Sequence, residues 1–332
     1  MTFDIVCHLN GLNVKLPLAI CGLGRFATRR ILPAIAQCPC VELVAVVDHS
    51  GKARDIPLGV RRFASLEDYL ETKPVGAIHI TSPNFLHAQH TLQCLTAGLH
   101  VICEKPMATN SVDCQYMIKA ARDFNLQLWV GHMLRYSPAL LLARQWLQNG
   151  SIGELLSINA IFHYELAEIS RTWAFRADRT GGGALMDAGI HCIDVIRLFT
   201  AEPIKVLTAS RDSRSHEDGV ERKATCRLAA GEVKCLVDVN SQAPYKTLLT
   251  ISGTGGEIVI DNFAASWGEV AVKLYAYDGG EPVKEELVDV STIYSEQLRN
   301  FAKAIAQPEL VAFQDIFAAE NVKIAEELYA IS

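Results

Sequence analysis

The 332-residue sequence predicts two domains, an α/β domain built on a parallel sheet and an α+β domain with a large, mostly antiparallel open sheet. The chain is longer than a single hydrophobic core usually supports. Between residues 15 and 133, short apolar runs alternate with helical patterns, which is typical of crossover units. From residue 204 onwards, strand-like runs follow one another across glycine-containing turns, which indicates antiparallel neighbours. We therefore expect domains over residues 1–134 and 135–332, with the last helix a candidate to pack back on the first domain.

In the first domain, apolar runs predict the strands and helical spacing predicts the helices. Ser65 stands before a short helical run and is expected to cap it. The predicted strands cover residues 16–21, 41–47, 77–81, 100–103 and 126–130, and the other predicted helices cover 26–36, 85–97 and 111–124.

The second domain has a different pattern. A helix is predicted over 138–148, a long strand over 152–165 and a long apolar helix over 183–199. Strand-like runs then extend from 204 to about 287, and two helices over 292–306 and 316–330 close the chain. Such a run of strands faced by helices indicates an α+β domain.

Composition excludes several classes of protein. The net charge is −6 and no basic stripe is present, so we expect no nucleic-acid partner. We find neither an apolar run of about 18 residues, which a membrane span needs, nor a signal peptide. The ten cysteines show no zinc-binding spacing, which indicates free thiols, a reducing compartment and a cytoplasmic protein.

The first motif that carries chemistry is the segment from Gly22 to Ala27, GLGRFA, between a predicted strand and a predicted helix. Gly22 permits a tight turn, Gly24 lets the backbone approach a pyrophosphate, and small Ala27 allows close packing of helix on strand. The helix N-terminus offers N–H groups and partial positive charge to phosphates. This context predicts a Rossmann dinucleotide-binding domain, and we assign Arg25 and Phe26 to the same site. The alternative is a glycine turn that binds another ligand or none.

The next predicted strand ends in Asp48. A carboxylate at this position accepts hydrogen bonds from the adenosine ribose hydroxyls and repels a 2′-phosphate, which favours NAD. His49 follows directly, and a cation beside the site keeps NADP possible.

A lysine follows another strand of the predicted parallel sheet. Residues 100–103 precede Glu104, Lys105 and Pro106, and ligands of doubly wound sheets bind beyond the carboxyl ends of the strands. The ammonium group of Lys105 can hydrogen-bond a substrate oxygen and stabilise developing alkoxide charge. The alternative is a solvated surface lysine.

The apolar helix over 183–199 carries one polar stripe, formed by Asp187, His191 and Asp194. A buried polar stripe needs hydrogen-bond partners or a wet cavity facing it. Histidine can act as a general acid or base near neutral pH. The alternatives are a hydrogen-bonded core histidine and a metal site, but we find no third ligand and expect no metal.

Four motifs in this order, GLGRFA, TSPNFLH, EKP and GGGALMDAGIHCID, carry a family resemblance. The chain resembles the glucose–fructose oxidoreductase, inositol dehydrogenase and rhizopine-catabolism (Gfo/Idh/MocA) oxidoreductases from about Lys15 to the last helix. The first 14 residues lie outside the resemblance.

The resemblance implies roles for individual residues. It makes Lys105, Asp187 and His191 catalytic, and it implies that the Lys105–Pro106 bond is cis. The expected cofactor residues are Gly22, Gly24, Arg25, Phe26, Asp48, Thr81, Pro83, Asn84, His87, Glu104 and Lys105. The expected substrate residues are Lys105, Arg135, Trp173, Asp187 and His191.

The resemblance also implies the reaction. We expect an NAD(P)-dependent oxidoreductase that transfers hydride between nicotinamide and a secondary alcohol or ketone of a sugar, polyol or sugar derivative, as a homodimer or homotetramer. The alternatives are a glycoside-cleaving enzyme that recycles bound NAD and a non-enzymatic NAD-binding regulator. The presence of Lys105, Asp187 and His191 favours the dehydrogenase.

Overall fold

The computed structural model describes residues 15–49, 56–166, 176–212, 220–277, 280–307 and 315–331. The chain forms two compact units. The first comprises Met1–Gly131 and Tyr294–Ala319, and the second comprises His132–Ile293 and Glu320–Ser332.

A parallel sheet forms the centre of the first unit, as predicted, and its six strands lie in the order β3-β2-β1-β4-β5-β6. Its strands are β1 (Leu16–Cys21), β2 (Val41–Val47), β3 (Arg61–Phe63), β4 (Ala77–Ile80), β5 (His100–Cys103) and β6 (Leu128–Val130). The strand order reverses between β1 and β4, and doubly wound sheets bind their ligands at this reversal.

The helices of the first unit are α1 (Leu32–Gln37), α2 (Leu66–Glu71), α3 (His87–Thr96), α4 (Ser111–Asp123) and α8 (Ile293–Ala306). The first residue of α8, Ile293, still belongs to the second unit. The predicted cap of α2 is confirmed, because the Ser65 hydroxyl accepts a hydrogen bond from the Asp68 amide at 3.1 Å. Asn110 caps α4 in the same way, accepting from the Asp113 amide at 2.8 Å.

Apart from strand and helix ends that shift by one or two residues, two details of the first unit differ from the prediction. The helix after the glycine motif is α-helical at residues 25–26, passes through a π-helical segment, Ala27–Ile31, and continues as α1 from Leu32. Pro33 has no N–H to donate to the preceding turn, which is a physical reason for the irregular ladder. Strand β3 was not predicted, because Arg61 and Arg62 give it the charged character of a short edge strand.

The second unit contains the predicted large open sheet, with eight strands in the order β14-β13-β12-β11-β7-β10-β9-β8. All neighbouring pairs are antiparallel except β7 and β10, which run parallel. The strands are β7 (Leu155–Glu165), β8 (Ile204–Arg211), β9 (Lys223–Ala230), β10 (Val233–Asn240), β11 (Gln242–Gly253), β12 (Gly256–Asp261), β13 (Glu269–Ala276) and β14 (Lys284–Asp289).

The helices of the second unit are α5 (Pro138–Gln148), α6 (Ala177–Thr180), α7 (Ile190–Thr200) and the part of α9 (Asp315–Ile331) from Glu320 onwards. Helix α7 lies against β7, β9 and β10, whereas α5 lies against β13 and β14. The helix predicted over 183–199 also contains a π-helical segment, Leu185–Gly189, which directly precedes α7.

Most of the described cysteines behave as the composition indicated. Buried free thiols include Cys21, Cys38, Cys94, Cys103, Cys192, Cys226 and Cys235. Cys40 differs, because it is disulfide-bonded, which the scattered spacing did not predict. Within the described part of the chain, we find no helix with the length and apolar character needed to cross a bilayer.

Candidate active site

The glycine turn after β1 is built so that only glycine fits at its first position. Gly22 has a φ of +100°, and a Cβ there would lie 2.7 Å from the backbone nitrogen of Ser82. The Gly22 amide donates to the Val47 carbonyl at 2.9 Å. The Thr81 hydroxyl donates to the Gly22 carbonyl. The ends of β1, β2 and β4 are therefore tied together at the point where the strand order reverses.

The second glycine faces open space. A Cβ on Gly24 would meet nothing within 4 Å. Beyond it, Ala27 is buried, and the Thr28 amide donates to the Gly24 carbonyl at 3.0 Å. Arg25 is exposed, and the half-buried Phe26 packs edge-on against Tyr294 with ring centroids 5.8 Å apart. The turn thus has the room and the helix N-terminus that a pyrophosphate requires, and these residues fit a dinucleotide.

Asp48 follows β2 directly and is half-buried. Its amide donates to the Phe63 carbonyl at 3.0 Å, and the preceding Val47 accepts from Gly22. The carboxylate therefore belongs to the strand beside the glycine turn, which is where a Rossmann domain holds the adenosine ribose.

The TSPNFLH segment contributes a loop and a buried histidine. Half-buried Pro83 and Asn84 open a short 3₁₀ turn after β4. His87 is buried, with Nδ1 2.8 Å from the Pro106 carbonyl oxygen and Nε2 2.8 Å from the Ser82 carbonyl oxygen. Burial lowers the pKa of His87, while the two carbonyl groups raise it. Because its two nitrogens face the backbone oxygens of Ser82 and Pro106, His87 links the segment after β4 to the segment after β5.

Lys105 follows β5 and is half-buried. The Lys105–Pro106 peptide is cis, which confirms what the resemblance implied. Glu104 is buried, and its Oε1 lies 2.9 Å from Nε2 of His79. A Cβ on Gly131 would lie 2.5 Å from Glu104 Oε2, so a larger residue there would displace this carboxylate. The sequence reasoning missed His79, whose only signal is a lone histidine within an apolar strand.

The second unit holds Asp187 and His191 on neighbouring turns. The Tyr164 hydroxyl donates to Asp187 Oδ2 at 2.7 Å. His191 is only 6% exposed, and its ring stacks on Phe162 with a centroid distance of 6.1 Å and an interplanar angle of 23°. The ring of His132 meets His191 edge-on at 6.3 Å. An acid and an imidazole are thus held by aromatic neighbours that sequence spacing did not reveal.

Asp194, the third member of the predicted stripe, is instead the centre of a buried ion pair. Its two oxygens accept from Nε and Nη2 of Arg135 at 2.8 and 2.7 Å, and Asn321 donates at 2.9 Å. His132 Nδ1 lies 3.8 Å away. Burial alone would raise the pKa of the Asp194 carboxyl. His132 and Arg135 lower it by more than this, so the pKa falls to about 2. Two guanidinium nitrogens of Arg135, a predicted substrate residue, are therefore committed to Asp194.

The N-terminal end of the Asp187 helix is held by Glu221 and Tyr329, two further residues that the sequence reasoning missed. Trp173, the remaining predicted substrate residue, lies outside the described residues. The described residues contain no group of three or more histidine, cysteine, aspartate or glutamate side chains arranged to hold a metal ion.

Comparison with known proteins finds matches over both domains. Residues 16–132 match the model of an oxidoreductase family with an NAD-binding Rossmann fold, GFO/IDH/MocA, and residues 140–259 match that family's C-terminal domain. The chain is 29% identical over 254 residues to a dTDP-3,4-didehydro-2,6-dideoxy-alpha-D-glucose 3-reductase of Saccharopolyspora spinosa, covering 74% of each chain. It is 26% identical over 244 residues to a 1,5-anhydro-D-fructose reductase of Ensifer adhaerens, covering 73% of this chain and 72% of the relative.

A solved structure shows the same fold. The 3-ketoreductase KijD10 from Actinomadura kijaniata, in complex with NADP and TDP-benzene, superposes with a TM-score of 0.85 at 21% identity, covering 96% of this chain and 98% of the other.

Proposed function

The chain belongs to the Gfo/Idh/MocA family of NAD(P)-dependent oxidoreductases, and we propose that it transfers hydride between the nicotinamide and a secondary alcohol or ketone of a sugar, polyol or sugar derivative. One observation carries the proposal. The matched dinucleotide-binding domain places Lys105 directly after β5, and the same chain holds Asp187 and His191 on a buried helix. The names of the two relatives, both sugar reductases, support the substrate class.

The cofactor site draws on the first unit. The turn at Gly22 and Gly24 would hold the pyrophosphate, and Asp48 would accept hydrogen bonds from the ribose and favour NAD over NADP. Arg25, Phe26, Thr81, Pro83, Asn84, His87 and Glu104 would line the same site. When bound, the nicotinamide supplies the hydride-accepting or hydride-donating carbon.

The side chains of the protein handle the proton and the substrate oxygen. His191 takes the hydroxyl proton as a general base during oxidation and returns it during reduction. The Lys105 ammonium hydrogen-bonds the same oxygen and stabilises negative charge that develops on it. Asp187, itself fixed by the Tyr164 hydroxyl, orients the substrate or the His191 ring. Arg135, paired with Asp194, and Trp173 complete the proposed substrate residues.

We further propose a cytoplasmic homodimer or homotetramer whose second domain, residues 135–332, supplies substrate contacts and the oligomer interface. Its partner is a small sugar or polyol, with neither nucleic acid nor membrane among its ligands and no metal in the site. The buried free thiols and the net charge of −6 support these assignments.

A cofactor-reduction assay tests the proposal. Purified protein is offered NAD or NADP with a panel of inositols, aldoses, sugar phosphates and nucleotide sugars. Lys105→Ala and His191→Ala should each lower turnover by about 100-fold or more. Lys119→Ala is the matched control, because Lys119 is 71% exposed on α4 and pairs only with nearby Asp123 among the described residues. Its turnover should stay within about twofold of wild type.

Other outcomes contradict the proposal. Unchanged turnover in both Lys105→Ala and His191→Ala would show that neither residue is catalytic. Release of free sugar without net reduced cofactor would favour the glycoside-cleaving alternative, and dinucleotide binding without any turnover would favour the regulator.

A further inference from the structure

A buried carboxylate that the proposed reaction does not use lies at the start of the helix carrying Asp187 and His191. Glu221 is 2% exposed. Its Oε2 accepts from the Gly183 amide at 2.9 Å, and its Oε1 accepts from the Leu185 amide at 2.8 Å. Gly183 directly precedes the helix and Leu185 lies in its first turn, where N–H groups have no intrahelical acceptor and where negative charge is stabilising.

The glycine run before this helix is explained by the same contact. A Cβ on Gly183 would lie 1.9 Å from the Glu221 carbonyl oxygen, and one on Gly182 would lie 2.0 Å from the Tyr329 hydroxyl. The Ala184 amide donates to the Glu221 carbonyl at 3.0 Å. Both the side chain and the backbone of Glu221 therefore touch the glycine run, and only residues without a Cβ permit this approach.

Tyr329 holds the carboxylate from the other side. It lies near the end of α9, and its hydroxyl donates to Glu221 Oε1 at 2.9 Å. Burial, and next the charge of Glu221, raise the pKa of the Tyr329 phenol well above its usual value, so the hydroxyl keeps its proton and remains a donor. Arg211 secures the same helix end, because its Nη2 donates to the Tyr329 carbonyl at 3.2 Å and its guanidinium lies 5.5 Å over the ring.

We infer that Glu221 and Tyr329 form a clamp that positions the Asp187–His191 helix for the reaction, an inference that rests on the proposed function. The clamped amides at Gly183 and Leu185 stand immediately before Asp187, inside or beside the π-helical segment Leu185–Gly189. Such segments depart from the regular ladder and are frequent at functional sites. Because the start of this segment is held from α9, the last helix of the chain sets the direction in which the two proposed catalytic side chains leave their helix.

The test compares hydroxyl deletions. Tyr329→Phe removes one hydrogen bond and keeps the ring, so the fold is retained even if Glu221→Gln proves unstable. Tyr277→Phe is the control for loss of a phenol hydrogen bond elsewhere in the second unit, because the 56% exposed Tyr277 donates its hydroxyl to the backbone carbonyl of buried Gly253. We measure kcat, KM, the dissociation constant for the dinucleotide, and hydrogen–deuterium exchange of peptides spanning residues 183–191.

The clamp predicts a specific combination of results. Tyr329→Phe should lower kcat about tenfold, with KM and dinucleotide affinity within about twofold, and should accelerate exchange across 183–191. Tyr277→Phe should change none of these. Equal kcat and equal exchange in the two variants would overturn the clamp. If wild type turns over no substrate, the proposed function fails, and the exchange comparison still decides whether the clamp exists.

Discussion

Replacing Asp194 with asparagine should strongly destabilise the second unit. Asp194 is 1% exposed and is the charged partner of Arg135, which contacts it through two nitrogens. Asparagine keeps the shape but removes the negative charge that faces the Arg135 guanidinium at 2.7 and 2.8 Å in a buried site. Removing one partner of a buried pair costs about 3–5 kcal/mol. For a unit of this size that corresponds to a fall in Tm of roughly 10 °C.

The dependence of folding stability on pH should also change on the acidic side. Burial raises the pKa of Asp194, but His132 and Arg135 lower it more, to about 2. Because the folded pKa lies below the unfolded value of about 4, the ionised group stabilises the fold above pH 4, and this contribution is lost as the pH falls towards 2. The contribution is about 2 kcal/mol, and it should be missing from the Asp194→Asn profile.

Thermal unfolding followed by circular dichroism between pH 2 and pH 7 measures both effects. Asp238→Asn is the control, because Asp238 is 27% exposed and pairs with His163 at 2.7 Å and Thr225 at 3.1 Å. It should lower Tm by only a few degrees, as partly exposed pairs contribute up to about 1 kcal/mol. The reasoning is refuted if Asp194→Asn lowers Tm no more than Asp238→Asn does.

Two further predictions concern the cofactor site. Gly22→Ala should lower Tm, because its Cβ would meet Ser82 at 2.7 Å, whereas Gly24→Ala has open space and should retain Tm while weakening dinucleotide binding about tenfold. Calorimetry measures Tm and fluorescence titration measures the dinucleotide affinity. A larger fall in Tm for Gly24→Ala than for Gly22→Ala would contradict the assignment. Asp48→Ser should raise kcat/KM for NADP relative to NAD by about tenfold or more, because the carboxylate that repels a 2′-phosphate is removed. Steady-state kinetics with both dinucleotides check this. An unchanged ratio of kcat/KM for NADP to that for NAD would show that Asp48 does not contact the ribose.

Much of the fold could be predicted because its strands are apolar runs with clear ends. The strands Leu16–Cys21, Val41–Val47 and His100–Cys103 were predicted to the residue, since glycine or a charged residue follows each run closely. Strand β3 carried no such signal, because a charged edge strand lacks the apolar pattern. The parallel pairing of β7 with β10 was not predicted either, because strands of either direction share the same alternation.

The π-helical segments show a second limit. Hydrophobic periodicity predicted helices over 26–36 and 183–199, and both regions are helical for most of their length. The pattern does not separate an α-helical turn from a π-helical turn within five residues.

The site could be predicted where its chemistry has local spacing. The glycine motif, Lys105 after its strand, and the Asp187–His191 pair are all readable within a few residues of sequence. Their supports are not, because His79 contacts Glu104 and Glu221 contacts Gly183 across long separations. Helical spacing predicted that Asp194 lies in one stripe with His191. It could not predict the partner of Asp194, because Arg135 lies on another element.

Transfer of isotope tests the central claim most directly. A substrate that turns over is prepared with deuterium on its carbinol carbon, and the reduced dinucleotide is isolated and examined by mass spectrometry and NMR. We predict deuterium at the C4 position of the nicotinamide, in one stereochemical position, in a ratio of about one per turnover. Deuterium retained in a released sugar, or lost to water, with no label in the dinucleotide pool would contradict hydride transfer as the net reaction.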